Sequence, residues 1–192
     1  MSKKPVPSRT QSEPTTALRK ALTQRKKTEL VDVLLELAQA DRGVLRQLTA
    51  RFDVIAAPDE LVAVTHQAIA DATGFDERDI NSNFDYDYEA YREVKRNLGR
   101  LLASGESRLA MQLALELMKR GSHQVEMSDE GMMTEDIEEC LSVVIKALTK
   151  CDLPAAEVIT WCTAMLENDR VGFIAREPLQ ALRNRLRTTK ET

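Results

Sequence analysis

The sequence predicts an all-α fold made of packed antiparallel helical hairpins. Through most of the 192 residues, apolar side chains recur at the spacing of one helix face. Aromatic residues make up only 4% of the chain, whereas strands are usually rich in aromatic and β-branched residues. No stretch alternates apolar and polar residues over the length of a strand. We therefore expect seven to nine helices.

Composition separates an N-terminal arm from a single helical domain. Residues 1–14 contain three prolines with Ser, Thr and Lys and little to bury, which predicts a disordered basic arm. The domain is predicted to span 15–192. Its parts are N-terminal helices over 15–74, an acidic connector over 75–87, two helical hairpins over 88–168 and a C-terminal helix over 173–188.

The N-terminal helices follow from caps and apolar periodicity. The stretch KKTELVDVLLELAQAD (26–41) carries a wide apolar face, with Thr28 as the expected N-cap. Asp41 can cap a short partner helix, so these two helices are predicted to form an antiparallel hairpin. Pro58 suits the first turn of the next helix, and Gly74 is expected to end it.

The later helices follow in the same way. After the connector a helix leads to the turn SGE (104–106), and its return helix is expected to end at Gly121. Thr134 is the expected cap of the next helix. Pro154 marks the start of another, because proline suits a helix start. The last helix is predicted near 176–188.

The two hairpins over 88–168 are separated by about 45 residues, which is near the period of paired-helix solenoids. Part of the first hairpin resembles half of a tetratricopeptide repeat, although the Trp and Tyr positions of that repeat are not matched. The residues that match are Leu98, Gly99, Gly105, Ala110 and Ala114. A solenoid-like arrangement, of tetratricopeptide or HEAT type, is therefore one form that the packed hairpins could take.

The stretch DINSNFDYDYEAY (79–91) has an acid or amide at alternate positions, as a calcium loop does. Such a loop needs glycine at its sixth position and a bidentate Glu at its twelfth, but these positions hold Phe84 and Ala90. We therefore predict a connector in which Asp85 or Asp87 caps the following helix. Adventitious binding of a cation by this connector is left open.

A second acidic stretch, GSHQVEMSDEGMMTEDIEE (121–139), contains one histidine and several methionines. His123 has no second His or Cys close by and makes a poor metal ligand set. An exposed loop with acids at the N-terminal end of the next helix is the favoured interpretation. The alternative is that residues 121–133 form a mobile interaction loop, because methionine surfaces adapt to partners. The candidate partner-binding residues of the two acidic stretches are Asp85, Asp87, Glu126, Met127, Asp129, Glu130, Met132 and Met133.

The charge distribution is uneven, although the net charge is only −4. Residues 1–27 hold eight Lys or Arg against Glu13 alone. Basic clusters can bind nucleic-acid phosphates, but a solvated N-terminal arm with one polar helix face is the favoured interpretation. The candidate nucleic-acid contacts are Arg19, Lys20, Arg25, Lys26 and Lys27.

Nothing in the sequence indicates catalysis. No nucleophile elbow, phosphate loop, dinucleotide fingerprint or metalloprotease motif is present. Cys140, Cys151 and Cys162 are too widely spaced for a zinc site and fit free thiols of a reducing cytoplasm. No apolar run approaches the roughly 20 residues that span a bilayer. We expect no catalytic residue, cofactor, metal or membrane contact, and a cytoplasmic location.

Two segments resemble a known family. RKKTELVDVLLELAQADRGVLRQL (25–48) and FDYDYEAYREVKRNLGRLLASGESRLAMQLALELMKRG (84–121) are similar to the helical region beside the zinc finger of bacterial SWIM zinc-finger proteins. The resemblance implies an α-helical repeat that serves interactions. The C-x-C…C-x-H ligands of the finger are absent from this chain, so no zinc or DNA role and no functional residue carries over.

The sequence therefore favours a non-enzymatic protein-interaction or scaffold module with a protein partner. The alternative is a nucleic-acid-associated accessory protein that binds through its basic N-terminal region. Salt separates the two, because binding to phosphates weakens steeply as salt rises. An enzyme of unknown type would need a pocket lined by convergent groups with perturbed pKa values.

Overall fold

The computed structural model describes residues 14–52, 57–83 and 85–188. These residues form ten helices and no strand, so the predicted all-α fold is confirmed. The arm predicted over 1–14 lies outside the described residues, apart from Pro14. Contacts group the helices into two compact units, which are described separately below. The single domain over 15–192 stays a prediction.

The first unit contains three helices. They are α1 (Pro14–Thr23), α2 (Lys27–Ala40) and α3 (Arg42–Arg51). Asp41 ends α2 and caps α3, since its Oδ1 accepts hydrogen bonds from the backbone N–H groups of Gly43 at 2.7 Å and Val44 at 3.2 Å. α2 and α3 pack together, as expected for a hairpin. Ala38 is the only apolar residue buried in the described part of this unit.

The second unit contains seven helices among its described residues. They are α4 (Pro58–Ala72), α5 (Glu77–Ser82), α6 (Tyr88–Ala103), α7 (Ser107–Glu126), α8 (Thr134–Leu148), α9 (Ala155–Asn168) and α10 (Arg176–Thr188). The sequence predicted seven to nine helices, whereas the described residues form ten. The helix that the sequence missed is α5, which lies inside the predicted connector and is too short to show a periodic apolar pattern.

Helices of the second unit that are two or three places apart in the chain lie side by side. Hydrogen bonds join His66 of α4 to Glu116 of α7, Lys95 of α6 to Glu139 of α8, and Trp161 of α9 to the Met111 carbonyl of α7. One row therefore contains α4, α7 and α9, and a second contains α6, α8 and α10. The apolar core fills the space between the two rows.

Two predicted helix caps are wrong. α2 begins one residue before Thr28, because the Glu29 carboxylate accepts a hydrogen bond from the Lys26 N–H at 3.1 Å and fixes the first turn there. Thr134 is the first residue of α8, and its hydroxyl donates to the Gly131 carbonyl at 2.7 Å instead of accepting from the helix. Both threonines lie within the first turn and do not cap it.

The predicted end of α7 at Gly121 is also wrong. α7 continues to Glu126, and the Met127 N–H closes its last turn on the His123 carbonyl at 3.1 Å. Gly121 is buried where α7 passes α8, and a Cβ at this position would lie 2.8 Å from Cδ1 of Ile137. The glycine therefore permits the close approach of two helices and does not terminate one.

This close approach predicts opposite effects for two helical glycines. Gly121→Ala forces the fully buried Ile137 side chain to move. In Gly99→Ala the new Cβ meets only Cγ1 of Val143, at 4.0 Å. We expect Gly99→Ala to raise the free energy of unfolding by about 0.5–1 kcal/mol. Gly121→Ala is expected to be about 1–3 kcal/mol less stable than Gly99→Ala.

Urea denaturation of the two variants and the parent chain measures this difference. Equal stability of the two variants would show that α7 and α8 are not in close contact at Gly121.

Candidate partner-binding surface

The connector before α6 is held by its own aspartates. The Asp87 carboxylate accepts a hydrogen bond from the Ala90 N–H at 2.9 Å and caps α6, which confirms the predicted role. Asp76 accepts from the Arg78 N–H at 2.8 Å at the start of α5. Asp85 is exposed. The oxygens that resemble a calcium loop in sequence are therefore used in part to start helices.

Asn81 of α5 fastens the connector to the turn that follows α7. Its amide group donates to the Met127 carbonyl at 3.2 Å, and its Oδ1 accepts from the Asp129 N–H at 2.9 Å. One side chain thus satisfies two backbone groups that lie 46 and 48 residues further along the chain. Asn81 is one of the alternating amides of the stretch 79–91, and nothing in its local sequence indicates this link.

Tyr86 makes a second link from the connector to α8. Its hydroxyl donates to Oδ2 of Asp136 at 2.7 Å, in the first turn of α8. Its ring packs edge-on against Tyr91, with centroids 6.1 Å apart. Both carboxylates of this turn, Glu135 and Asp136, also lie near the positive end of the α8 dipole.

These links bring the two acidic stretches together on one face, called here the acidic surface. Its members are Asp76, Asp85, Asp87, Asp129, Glu130 and Glu135. The connector side of this face contains a depression of about 420 Å³, lined in part by Phe75 and Tyr88. The exposed cation Arg78 lies on the same segment.

Buried hydrogen bonds join the helices next to the acidic surface. The Tyr91 hydroxyl of α6 donates to Oε1 of Gln124 at 2.5 Å, and Nε2 of Gln124 donates to the Ala72 carbonyl of α4 at 3.1 Å. Gln124 is fully buried and Tyr91 nearly so. Desolvation on burial raises the pKa of Tyr91 well above its ordinary value. The Cys140 thiol of α8 donates to the Tyr91 carbonyl at 3.2 Å.

The remaining candidates for partner binding lie in different environments. Glu126 ends α7 and forms an ion pair with Arg170 at 2.5 Å, a hydrogen bond that lowers the pKa of the Glu126 carboxyl. Met127 is half-buried, whereas Met132 is 49% exposed. Met133 is fully buried in the core. It is therefore corrected from a surface contact to a packing residue, because it precedes α8 on its inner side.

All five candidate nucleic-acid contacts are exposed. Arg19 and Lys20 lie on α1, and Arg25, Lys26 and Lys27 follow in the turn into α2 and its first residue. The structure therefore leaves their charges open to solvent.

The histidines and cysteines are placed as structural residues. His66 pairs with Glu116 at 2.6 Å, and His123 contacts the Phe75 ring edge-on at 5.9 Å. The three cysteines are free thiols, and burial raises the pKa of Cys140 to about 12 and that of Cys162 to about 11. Within the described ranges, no group of His, Cys, Asp and Glu could hold a metal ion. No described helix could cross a bilayer.

No family model, curated protein or solved structure matches this chain. The resemblance to the helical region of SWIM zinc-finger proteins therefore stays a hypothesis. The geometry of the acidic surface is therefore the basis for a functional proposal.

The Tyr86–Asp136 bond predicts a pH dependence of stability. Burial and then the Asp136 carboxylate raise the pKa of Tyr86 from 10.0 to about 12. As the pH rises from 10 to about 12, the unfolded chain loses this proton and the folded chain keeps it. Stability is therefore expected to fall across this window and to fall less in Tyr86→Phe.

Denaturant unfolding at several pH values in this window checks the effect, with Tyr88→Phe as control because Tyr88 is 53% exposed. Tyrosinate absorbance measures the pKa directly, and Asp136→Asn is expected to lower the pKa of Tyr86. An unchanged pKa in Asp136→Asn would show that Tyr86 and Asp136 are not bonded.

Proposed function

We propose that this chain is a non-enzymatic protein-interaction or scaffold module whose acidic surface binds a basic segment of a protein partner in the cytoplasm. The observation that carries the proposal is the double hydrogen bond of Asn81, which holds two distant acidic stretches together. Like charges assembled on one face favour a ligand of opposite charge.

Exposed apolar side chains support a protein segment as the ligand. Tyr88 is 53% exposed and Met132 is 49% exposed, and each is close in sequence to members of the acidic surface. Apolar anchors surrounded by charge are typical of sites that bind an amphipathic segment. We therefore propose a partner segment that combines Lys or Arg with a few apolar side chains.

The arrangement of helices supports a scaffold role. The row of α4, α7 and α9 beside the row of α6, α8 and α10 is compatible with a solenoid-like stacking of the tetratricopeptide or HEAT kind. In such a stack the loops at one end form a continuous surface. The acidic surface lies at the end that contains the C-terminus of α7 and the N-terminus of α8.

Charge reversal on this surface tests the proposal. Asp85→Lys with Asp129→Lys changes two exposed carboxylates. The control, Glu60→Lys with Asp152→Lys, changes two exposed carboxylates at the start of α4 and after α8, which is the opposite end of these helices. Proteins captured from the native host by the parent and control chains are expected to be lost from the first variant.

The same capture is repeated after nuclease treatment, with mass spectrometry of the bound proteins. Partners that survive nuclease and are lost only in the acidic-surface variant agree with the proposal. Equal capture by both variants would overturn it.

A second candidate function rests on the five exposed cations of α1 and the turn into α2. Nucleic-acid binding through them would give partners that disappear with nuclease. The logarithm of the affinity would then fall linearly with that of the salt concentration, by roughly 0.7–0.9 per phosphate contact. Replacing Arg25, Lys26 and Lys27 by Gln would make this dependence shallower.

A further inference from the structure

Most of the large apolar side chains described in the first unit are exposed. Nine of the thirteen large apolar residues that are exposed among the described residues belong to α1, α2, α3 or the residue after α3. On α2 the exposed fractions are 37% for Leu34, 48% for Val33 and 50% for Leu37. A hairpin of helices this short buries too little apolar surface to be stable without further contacts.

The helical wheel of α2 shows why one neighbouring helix does not cover it. Its apolar residues from Leu30 to Ala38 occupy an arc of about 200°, at 100° per residue. A helix that packs on one neighbour needs an apolar face of only about 100°. α3 packs against α2 and Ala38 is buried, so a second apolar side remains.

The charges of α2 identify what fits on that side. Its beginning carries Lys26, Lys27 and Glu29 and is net positive, whereas Asp32, Glu36 and Asp41 make the part from its middle to its end net negative. Cations at the N-terminus and anions at the C-terminus of a helix are unfavourable for its own dipole. A second α2 in antiparallel orientation places opposite charges at both ends and compensates for this arrangement.

We propose that α2 forms the interface of a homodimer, in which it lies antiparallel to α2 of a second copy of the chain. In the register that we propose, Leu30 is opposite Leu37, Val33 is opposite Leu34 and Lys26 is opposite Asp41. No acidic residue of α2 then faces an acidic residue. The two α2–α3 hairpins together form a four-helix arrangement with a shared apolar centre.

Sedimentation of the full chain over a dilution series tests the dimer. The expected result is a species of twice the 21.6 kDa chain mass that dissociates on dilution. Leu34→Lys is expected to raise the dissociation constant by about tenfold for each copy that carries it. The matched control is Val64→Lys on α4, because Val64 is 39% exposed and Leu34 is 37% exposed.

A chain that stays monomeric at every concentration overturns the proposal and indicates that the apolar side of α2 contacts its own chain or another protein. The proposal is also overturned if a dimer forms but Leu34→Lys and Val64→Lys weaken it equally. Circular dichroism of both variants shows whether helix content is preserved, and the dilution series of the parent chain does not depend on any variant.

Cross-linking tests the orientation. Leu30→Cys and Leu37→Cys are made separately with Cys151→Ser, since Cys140 and Cys162 are buried. Antiparallel packing predicts that mixed chains form a disulfide-linked dimer more efficiently than either variant alone. Efficient cross-linking of each variant with itself, with no gain on mixing, would overturn the antiparallel arrangement.

Discussion

The buried side chain of Gln124 joins three helices of the second unit, α4, α6 and α7. It accepts from Tyr91 of α6 and donates to the end of α4, so one amide fixes the relative position of three helices. A buried polar group that loses its partner costs about 1–3 kcal/mol. Any sliding of α4, α6 or α7 by one residue would break at least one of these bonds. The packing register of these three helices is therefore defined by a polar contact within an apolar core.

The position of Gln124 in turn requires α7 to continue past Gly121. Because glycine has no side chain, α7 can approach α8 closely at this position. Directly after α7, the backbone groups of Met127 and Asp129 form hydrogen bonds with Asn81. Hydrogen bonds thus hold the connections that carry the acidic surface at several points.

Periodicity predicted the fold class and most of the helices, because apolar spacing is a local property. It did not predict α5, which is too short for a period to appear. Gly121 was interpreted as a helix end, although the apolar face of α7 continues beyond it to Val125. A glycine that ends a helix and a glycine that permits close helix packing look the same in the sequence. Only the position of the Ile137 side chain in the structure distinguishes the two roles. Met133 was assigned to the surface for a similar reason, since its burial depends on residues distant in sequence.

The sequence indicates the acidic stretches that form the candidate surface, but it does not indicate that they lie side by side. The sequence indicated both acidic stretches, whereas the role of Asn81 as the link between them depends on tertiary structure. Amide hydrogen exchange at residues 121–126 tests most directly the claim that α7 supports this surface. Slow exchange of these amide protons is expected, comparable to that of the preceding turns of α7. Fast exchange, as in an open loop, would contradict it.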